Sequence, residues 1–224
     1  ATLSADIEVI ELFLQTLETS GVNNVHLDLG HVDICRGLLA IANLDNHQES
    51  QLFELLQRKA SGELAQWIGE NIKDSKLAGW LNVLPTLAGN AEVLESAKRA
   101  LAGAPDAVLA AIEQLEQVVA AIPKDRATIY LDLGELPGYH YHTGIVFAGY
   151  VQGFGKALGH GGRYDHVGEA FGRARPATGF AFNLKSLVTQ GNTGFGAQSG
   201  IFVPFTTDTK VLQQIALLRG EGNR

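Results

Sequence analysis

The amino-acid sequence predicts an α+β fold, in which an antiparallel sheet is flanked by helices and interrupted by a helical insertion. Two segments, residues 25–29 (VHLDL) and 127–133 (ATIYLDL), alternate with the period of two that is typical of strands. Between them, residues 45–126 are dominated by Ala, Leu, Glu, Gln and Lys and are broken by Gly and Pro, as in a string of short helices. Strands on both sides of a helical segment favour this fold over a repeated βαβ unit.

The first elements can be placed in order. Apolar side chains at helical spacing predict a helix that Ser4 or Asp6 caps and that Gly21 ends. After the strand at residues 25–29, Gly30 is predicted to turn the chain into a buried helix. Within the insertion, the longest helix is predicted to begin at Pro105, because proline suits the first helical turn.

The later elements contain more strands. Residues 138–152 (GYHYHTGIVFAGYVQ) are predicted to form one long strand, and residues 175–184 (RPATGFAFNL) another that leads into a helix. Residues 189–200 are rich in Gly, Ser, Asn and Gln, a composition typical of a flexible linker. The last residues read as a strand followed by a helix. A lone strand–helix unit needs a neighbour, and the chain does not begin with Met, so we expect it to be a piece of a longer protein.

These elements predict four regions. They are residues 1–44 as the first part of the core, 45–126 as the helical insertion, 127–190 as the rest of the core, and 191–224 as a linker and the start of a C-terminal strand–helix unit.

Composition excludes several classes of function. The 224 residues include no apolar run of the roughly 18 residues that a membrane helix needs, so no membrane association is expected. The single cysteine, Cys35, cannot form an internal disulfide, and a cytoplasmic location is therefore expected. The net charge of −7 argues against a surface that binds nucleic acid as a whole. Cys35 lies in an apolar stretch, where an inert buried thiol is expected rather than a nucleophile.

Two short segments contain candidate chemistry. On a strand, His140 and His142 would share one face, and His160, Asp165 or His166 would then be able to complete a zinc site. The alternative, aromatic and imidazole side chains that hydrogen-bond within a sheet, agrees better with the absence of any further metal motif.

The second segment is GHGGRYD, residues 159–165. Its glycines would let a ligand approach the backbone closely, and Arg163 and Tyr164 would supply a cation and an aromatic wall. The alternative is a hairpin turn in which Arg163 pairs with Asp165.

Three segments in order resemble the catalytic core of histidyl-tRNA synthetases. They are PGYHYHTG (137–144), GHGGRYDHVG (159–168) and ATGFAFNLKSL (177–187), and the family has approximately RGLDYYTG, GGRYDGL and GFAxGLERL in these places. SADIEVIELF (4–13) resembles the stretch after the family's second class II motif. The resemblance covers nearly the whole chain and implies a class II aminoacyl-tRNA synthetase-like fold, with motifs one and two upstream of residue 1.

The departures from that family concern two cations. The family's RGLDYY motif opens on an arginine that promotes attack of the histidine carboxylate on ATP, and here that position is Pro137. Its third motif has an arginine that neutralises ATP, whereas Lys185 and Ser186 stand here, with Asn183 in place of a glycine. An arginine poised against phosphates contributes orders of magnitude in rate. The resemblance with these losses implies that aminoacylation is absent.

Binding without activation resembles the regulatory subunit family of ATP phosphoribosyltransferase. That resemblance implies a non-catalytic subunit that assembles with the short catalytic subunit, is required for its activity and takes part in feedback inhibition by L-histidine in the first step of histidine biosynthesis. It implies self-dimerisation within a hetero-oligomer and no tRNA, metal or cofactor. An authentic histidyl-tRNA synthetase is the main alternative, and a metal hydrolase built on His140 and His142 is a third.

The resemblance also implies a histidine pocket. Its tyrosines and His142 are expected to face the ligand's imidazole, its glycines to allow close approach, and Arg163 to help hold the loop. The implied pocket residues are Tyr141, His142, Gly161, Gly162, Arg163, Tyr164 and Gly179.

Overall fold

The computed structural model describes residues 2–134, 141–191 and 201–222. The chain divides into two compact units, Ala1–Gly191 and Asn192–Arg224. The helices of the described residues are α1 (Leu3–Thr19), α2 (Val32–Ala40), α3 (Asn46–Gln57), α4 (Ser61–Asn71), α5 (Ser75–Val83), α6 (Val93–Ala100), α7 (Asp106–Ala121), α8 (Leu184–Gln190) and α9 (Thr209–Gly220). The strands are β1 (Val25–His31), β2 (Ala88–Gly89), β3 (Thr128–Asp132), β4 (Ile145–Val151), β5 (Phe154–Arg163) and β6 (Thr178–Phe182).

The six strands form a single sheet in the order β2-β3-β1-β4-β5-β6. Neighbouring strands are antiparallel except for β1 and β3, which are parallel. The predicted α+β class is confirmed, but the sheet is mixed rather than wholly antiparallel. The reason is the insertion: the helices between β1 and β3 form a crossover, and a crossover lets two strands run in the same direction.

The first helix begins earlier than the sequence predicts. Its N-cap is Thr2, whose hydroxyl accepts the N–H of Ala5, and not Ser4 or Asp6. The helix ends before Gly21, whose φ of 77° lies in the left-handed region that favours glycine. Asp6, the predicted cap, is instead buried in the interior at 1% exposure.

The prediction that Gly30 turns the chain is wrong, because β1 continues through it to His31. A Cβ at Gly30 would lie 3.2 Å from the carbonyl oxygen of Asp132 and 3.2 Å from Val146 Cγ2. The glycine therefore lets β1 lie close to its neighbours on both sides.

One face of the sheet is covered by α1 and α7 and is apolar. Phe13 of α1 is fully buried and stacks on Phe182, with ring centroids 4.7 Å apart. It also meets the edges of Phe147 and Phe180, at 5.2 and 5.5 Å. Gly149 admits this helix, because a Cβ there would lie 2.8 Å from the Phe13 ring. We call this side the closed face.

The helical insertion is packed into the same hydrophobic core as the sheet. Its β2 adds an edge strand by pairing with β3, and its last helix, α7, packs against α2 and β1. The predicted division of the core at residues 45 and 126 stays a prediction.

Two predicted strands differ in the structure. Within residues 141–191, the strand predicted from residue 138 begins only at Ile145, and residues 135–140 are outside the described part. In the C-terminal unit, α9 is present, but residues 201–208 form no strand, since a strand needs a hydrogen-bonded neighbour. No helix among the described residues is long and apolar enough to cross a membrane.

Candidate ligand-binding site

The sheet's other face, which we call the open face, forms the floor of a cavity of about 650 Å³. Cavities of this size are typical of small-molecule sites. Five of the seven predicted pocket residues line it, and Gly162 and Arg163 do not. The described residues that line it are Asp28, Leu29, Gly30, Tyr141, His142, Val146, Phe147, Ala148, Tyr150, Ala157, His160, Gly161, Tyr164, Gly179, Phe180 and Ala181.

Three rings form one wall of the cavity, and we call them the aromatic wall: Tyr141, His142 and Tyr164. The rings of Tyr141 and Tyr164 are stacked with centroids 5.3 Å apart and planes 29° apart. The ring of His142 meets Tyr141 edge-on at 5.1 Å. Tyr141 remains 50% exposed, so its ring is accessible to a ligand in the cavity. Packed rings of this kind suit a flat aromatic or imidazole group.

His142 is held at both its ring and its backbone. Its Nδ1 lies 3.1 Å from the carbonyl oxygen of Arg163. A carbonyl only accepts hydrogen bonds, so Nδ1 is the nitrogen with the hydrogen. Burial lowers the pKa of His142, so the ring is neutral near pH 7 and its Nε2 is left as an acceptor. The backbone carbonyl of His142 accepts from Arg36 at 2.9 Å, and Arg36 also pairs with Asp33 at 3.0 Å.

The glycines of the predicted pocket make room for these rings. A Cβ at Gly162 would lie 2.8 Å from Nδ1 of His142, and one at Gly179 would lie 2.5 Å from the hydroxyl oxygen of Tyr164. Both separations are too short for a real side chain. These glycines therefore let the aromatic wall pack against the sheet, in addition to any approach of a ligand to the backbone.

Arg163 lies behind the cavity, where it joins β5 to α1. Its side chain is 12% exposed, and its guanidinium forms an ion pair with the buried carboxylate of Asp6, with Nε 3.2 Å from Oδ2. Asp165, the partner considered from the sequence, accepts the N–H of Ala177 at 3.1 Å. Its own N–H donates to Thr143 at 3.0 Å. Arg163 thus positions the strand that supports His142.

The candidate metal ligands do not gather into a site in the described part of the chain. His142 precedes β4 rather than lying on a strand, and His140 is outside the described residues. His166 pairs with Glu169 at 2.8 Å. No group of three or more His, Cys, Asp or Glu side chains suited to a metal is present in residues 2–134, 141–191 and 201–222. Burial raises the pKa of Cys35 to about 12, as expected for an inert thiol.

Of the two positions where the synthetases have arginine and this chain does not, the structure describes only Ser186. Pro137 is outside the described residues. Ser186 lies in the first turn of α8, where its N–H donates to the side chain of the capping Asn183 at 3.0 Å. Asn183 thus begins the helix, so its difference from glycine has a structural role.

The sequence interpretation missed Asp28 and Tyr150 in the cavity floor and considered His160 only as a zinc ligand. Asp28 of β1 is in register with Ala148 of β4, and Ala148 with His160 of β5. All three residues line the cavity, and so does Tyr150. The alternation of VHLDL places His26 and Asp28 on the opposite face from the buried leucines, and this pattern would have been enough to predict Asp28 on the open face. The register with β4 and β5 is not visible in the sequence.

This fold defines the chain as a class II synthetase-like domain with a cavity on one face of its sheet. The chain belongs to the histidyl-tRNA synthetase family, because the model of that family matches residues 1–187.

Within this family, the chain is similar to curated proteins that are regulatory subunits of ATP phosphoribosyltransferase. The chain is 48% identical to an ATP phosphoribosyltransferase regulatory subunit of Pseudomonas savastanoi pv. phaseolicola, over 100% of this chain and 57% of that protein. A regulatory subunit of Saccharophagus degradans is 44% identical, over 99% of this chain and 57% of that protein. The chain thus spans little more than half the length of these relatives.

A solved structure has the same fold. It is an ATP phosphoribosyltransferase regulatory subunit/histidyl-tRNA synthetase from Bacillus halodurans, with a TM-score of 0.76 and 25% identity. The match covers 99% of this chain and 57% of that one. The family resemblance stated from the sequence is confirmed.

Proposed function

We propose that the chain is the histidine-binding part of a non-catalytic regulatory subunit of ATP phosphoribosyltransferase. The cavity on the open face, with its aromatic wall, is the observation that supports binding of an amino acid with an imidazole side chain. The neutral ring of His142 supplies an acceptor for the ligand's ring N–H, and Tyr141 and Tyr164 supply flat apolar surface. The names of relatives at 44–48% identity support the regulatory role.

The absence of catalysis is part of this proposal. An adenylating centre needs cations against the phosphates of ATP, and at two positions where the synthetases have arginine this chain has Pro137 and Ser186. No lysine or arginine lines the described part of the cavity. The described lining therefore suits an amino acid better than a nucleoside triphosphate.

The partner in this proposal is the short catalytic subunit, which condenses ATP with phosphoribosyl pyrophosphate. We propose that the regulatory subunit dimerises in the cytoplasm, is required for full activity of that partner and inhibits it when histidine is bound. Histidine inhibits only if it binds the less active state of the assembly more tightly. If histidine changes the binding affinity between the two subunits, the catalytic subunit changes the affinity for histidine by the same factor.

Two measurements on the full-length protein test this function. Calorimetric titration with L-histidine should show saturable binding, which the catalytic subunit shifts. The rate of ATP–phosphoribosyl pyrophosphate condensation by the catalytic subunit should rise on addition of the protein and fall again with histidine. A catalytic rate that is indifferent to the protein, with and without histidine, contradicts the proposal.

A second candidate function is that of a histidyl-tRNA synthetase, which is favoured by the description of the matching family model. It predicts histidine-dependent exchange between ATP and pyrophosphate by the full-length protein alone. The regulatory proposal predicts no exchange above background. The same preparation, shown by calorimetry to bind histidine, is the control for a folded pocket.

A further inference from the structure

The cavity floor has a polar row that we define as Asp28, Ala148 and His160. The three residues are consecutive in register on β1, β4 and β5, so their side chains share the open face. Neighbouring strands are about 4.8 Å apart, which separates the backbones of Asp28 and His160 by roughly 10 Å. Ala148 lies between them, and its short side chain leaves the space above it open. A carboxylate and an imidazole thus flank a gap in the floor.

The polar row lies next to the aromatic wall. The ring of His142 packs over Gly162, which is two residues from His160 on β5. Two residues along a strand span about 7 Å, and residues i and i+2 face the same side. The distance from the gap in the row to the aromatic wall is therefore about 7 Å. The imidazole ring of a free histidine is separated from its amino and carboxylate groups by a similar distance.

We propose that the polar row binds the amino and carboxylate groups of the ligand. The Asp28 carboxylate accepts hydrogen bonds from the ligand's α-ammonium, and the His160 ring donates an N–H to the ligand's carboxylate. The ligand's imidazole lies against the aromatic wall. This inference rests on the proposed function, because it takes the ligand to be a free amino acid.

The state of Asp28 without ligand supports this assignment. Burial, and then the neighbouring carboxylate of Asp132, raise the pKa of Asp28, and the opposing effects of His26 and Lys59 do not offset them. A charged carboxylate here is thus only partly compensated by the protein, and a ligand ammonium beside it would supply the missing positive charge.

His160 is the matching group for the ligand's negative end. It lines the cavity and its side chain is exposed, so its ring N–H can reach a carboxylate in the gap. The described lining contains no lysine or arginine, so its side-chain donors are imidazole N–H groups and tyrosine hydroxyls, and of these the His160 ring is the one on the polar row.

The test combines two variants with two altered ligands. Calorimetry on the full-length protein measures the affinity of Asp28→Asn and His160→Ala for three compounds. These are L-histidine, imidazolepropionate, which lacks the ammonium, and L-histidine methyl ester, which lacks the negative charge. His47→Gln on α3, outside the cavity lining, is the matched control, and circular dichroism checks that each variant is folded.

Each variant should lose affinity only for ligands that have the group it binds. D28N should bind histidine at least about tenfold more weakly than wild type does, since hydrogen bonds to charged groups contribute at this level. It should bind imidazolepropionate with the same affinity as wild type. H160A should bind histidine several-fold more weakly than wild type does and the methyl ester with the same affinity as wild type. H47Q should match wild type with all three compounds.

Two results overturn the inference and differ in meaning. If wild type binds histidine, but D28N and H160A weaken all three compounds equally or not at all, the polar row does not bind the amino and carboxylate groups, and the proposed function stands. If wild type does not bind histidine, both the inference and the histidine pocket are wrong.

Discussion

The two faces of the sheet are built from the same strands but differ in what covers them. On the closed face, Leu27 and Leu29 of β1 are buried, and Phe13 packs against three more phenylalanines. On the open face, Asp28 of the same strand lines a cavity beside exposed polar side chains. The period of two points alternate side chains of each strand towards the two faces. We therefore expect substitutions on the closed face to change stability, and those on the open face to change binding.

The largest expected effect is on the closed face. Phe13→Ala should lower the free energy of unfolding by about 3–5 kcal/mol, because it removes a fully buried ring and leaves a cavity among its aromatic neighbours. Chemical denaturation at pH 7 measures this change.

The matched control removes an aromatic ring from the open face. Tyr130 is 41% exposed, and Tyr130→Ala should cost less than about 1 kcal/mol. Equal losses from the two variants would show that the faces do not differ in their contribution to stability.

A smaller effect on both properties is expected at the border between the floor and the aromatic wall. Gly162→Ala places a methyl group 2.7 Å from the carbonyl oxygen of Ile145 and 2.8 Å from the His142 ring. To avoid this clash the backbone and the His142 ring must shift, which should lower the free energy of unfolding by about 1–3 kcal/mol. The shift should also break the hydrogen bond from His142 Nδ1 to the carbonyl oxygen of Arg163. Denaturation measures the first effect, and calorimetry should show at least roughly tenfold weaker histidine binding.

Gly155 provides the control on the same strand. Nothing lies within 4 Å of a Cβ placed there, so Gly155→Ala should leave histidine affinity unchanged and stability the same or slightly higher. If both alanine variants behave alike, the packing of His142 on Gly162 is not what requires glycine in this strand.

Much of the architecture was predictable from the sequence because it depends on local patterns. The alternation in residues 25–29 and 127–133 corresponds to β1 and β3, and the segment ATGFAFNLKSL corresponds to β6 followed by α8. The aromatic wall was predictable through the resemblance, since the ordered motifs specify which rings meet.

The remainder depends on contacts between distant parts of the chain. Asp6 looked like a helix cap, but its partner is Arg163, 157 residues away. The polar row depends on the register of three strands, which alternation within each strand does not determine. For the same reason neither Gly162 nor Arg163 lines the cavity, although both are in the recognised motif: the His142 ring covers Gly162, and Arg163 lies behind the sheet, where it pairs with Asp6.

The smallest expected effect separates stability from binding at a single residue. The pKa of Asp28 is raised above its ordinary value of 3.8 by burial and by Asp132. A carboxyl group with a raised folded-state pKa contributes its full stability below the unfolded value and loses it as the pH rises through the folded value. Asp28→Asn cannot ionise, so it should be more stable than wild type at pH 7, by at most about 0.5 kcal/mol for this half-buried group.

This advantage of Asp28→Asn should shrink as the pH is lowered and vanish below pH 3.8, where Asp28 is protonated in both states. Denaturation between pH 3.5 and 7 (about half-unit steps) measures the difference, and Asp125→Asn, in the exposed turn before β3, controls for the change in net charge. If Asp28→Asn makes the ligand-free protein more stable and also weakens histidine binding, the charge of Asp28 serves binding at a cost to stability. A variant less stable than wild type at pH 7 would instead make Asp28 a structural residue and remove the difference between the two faces at this strand.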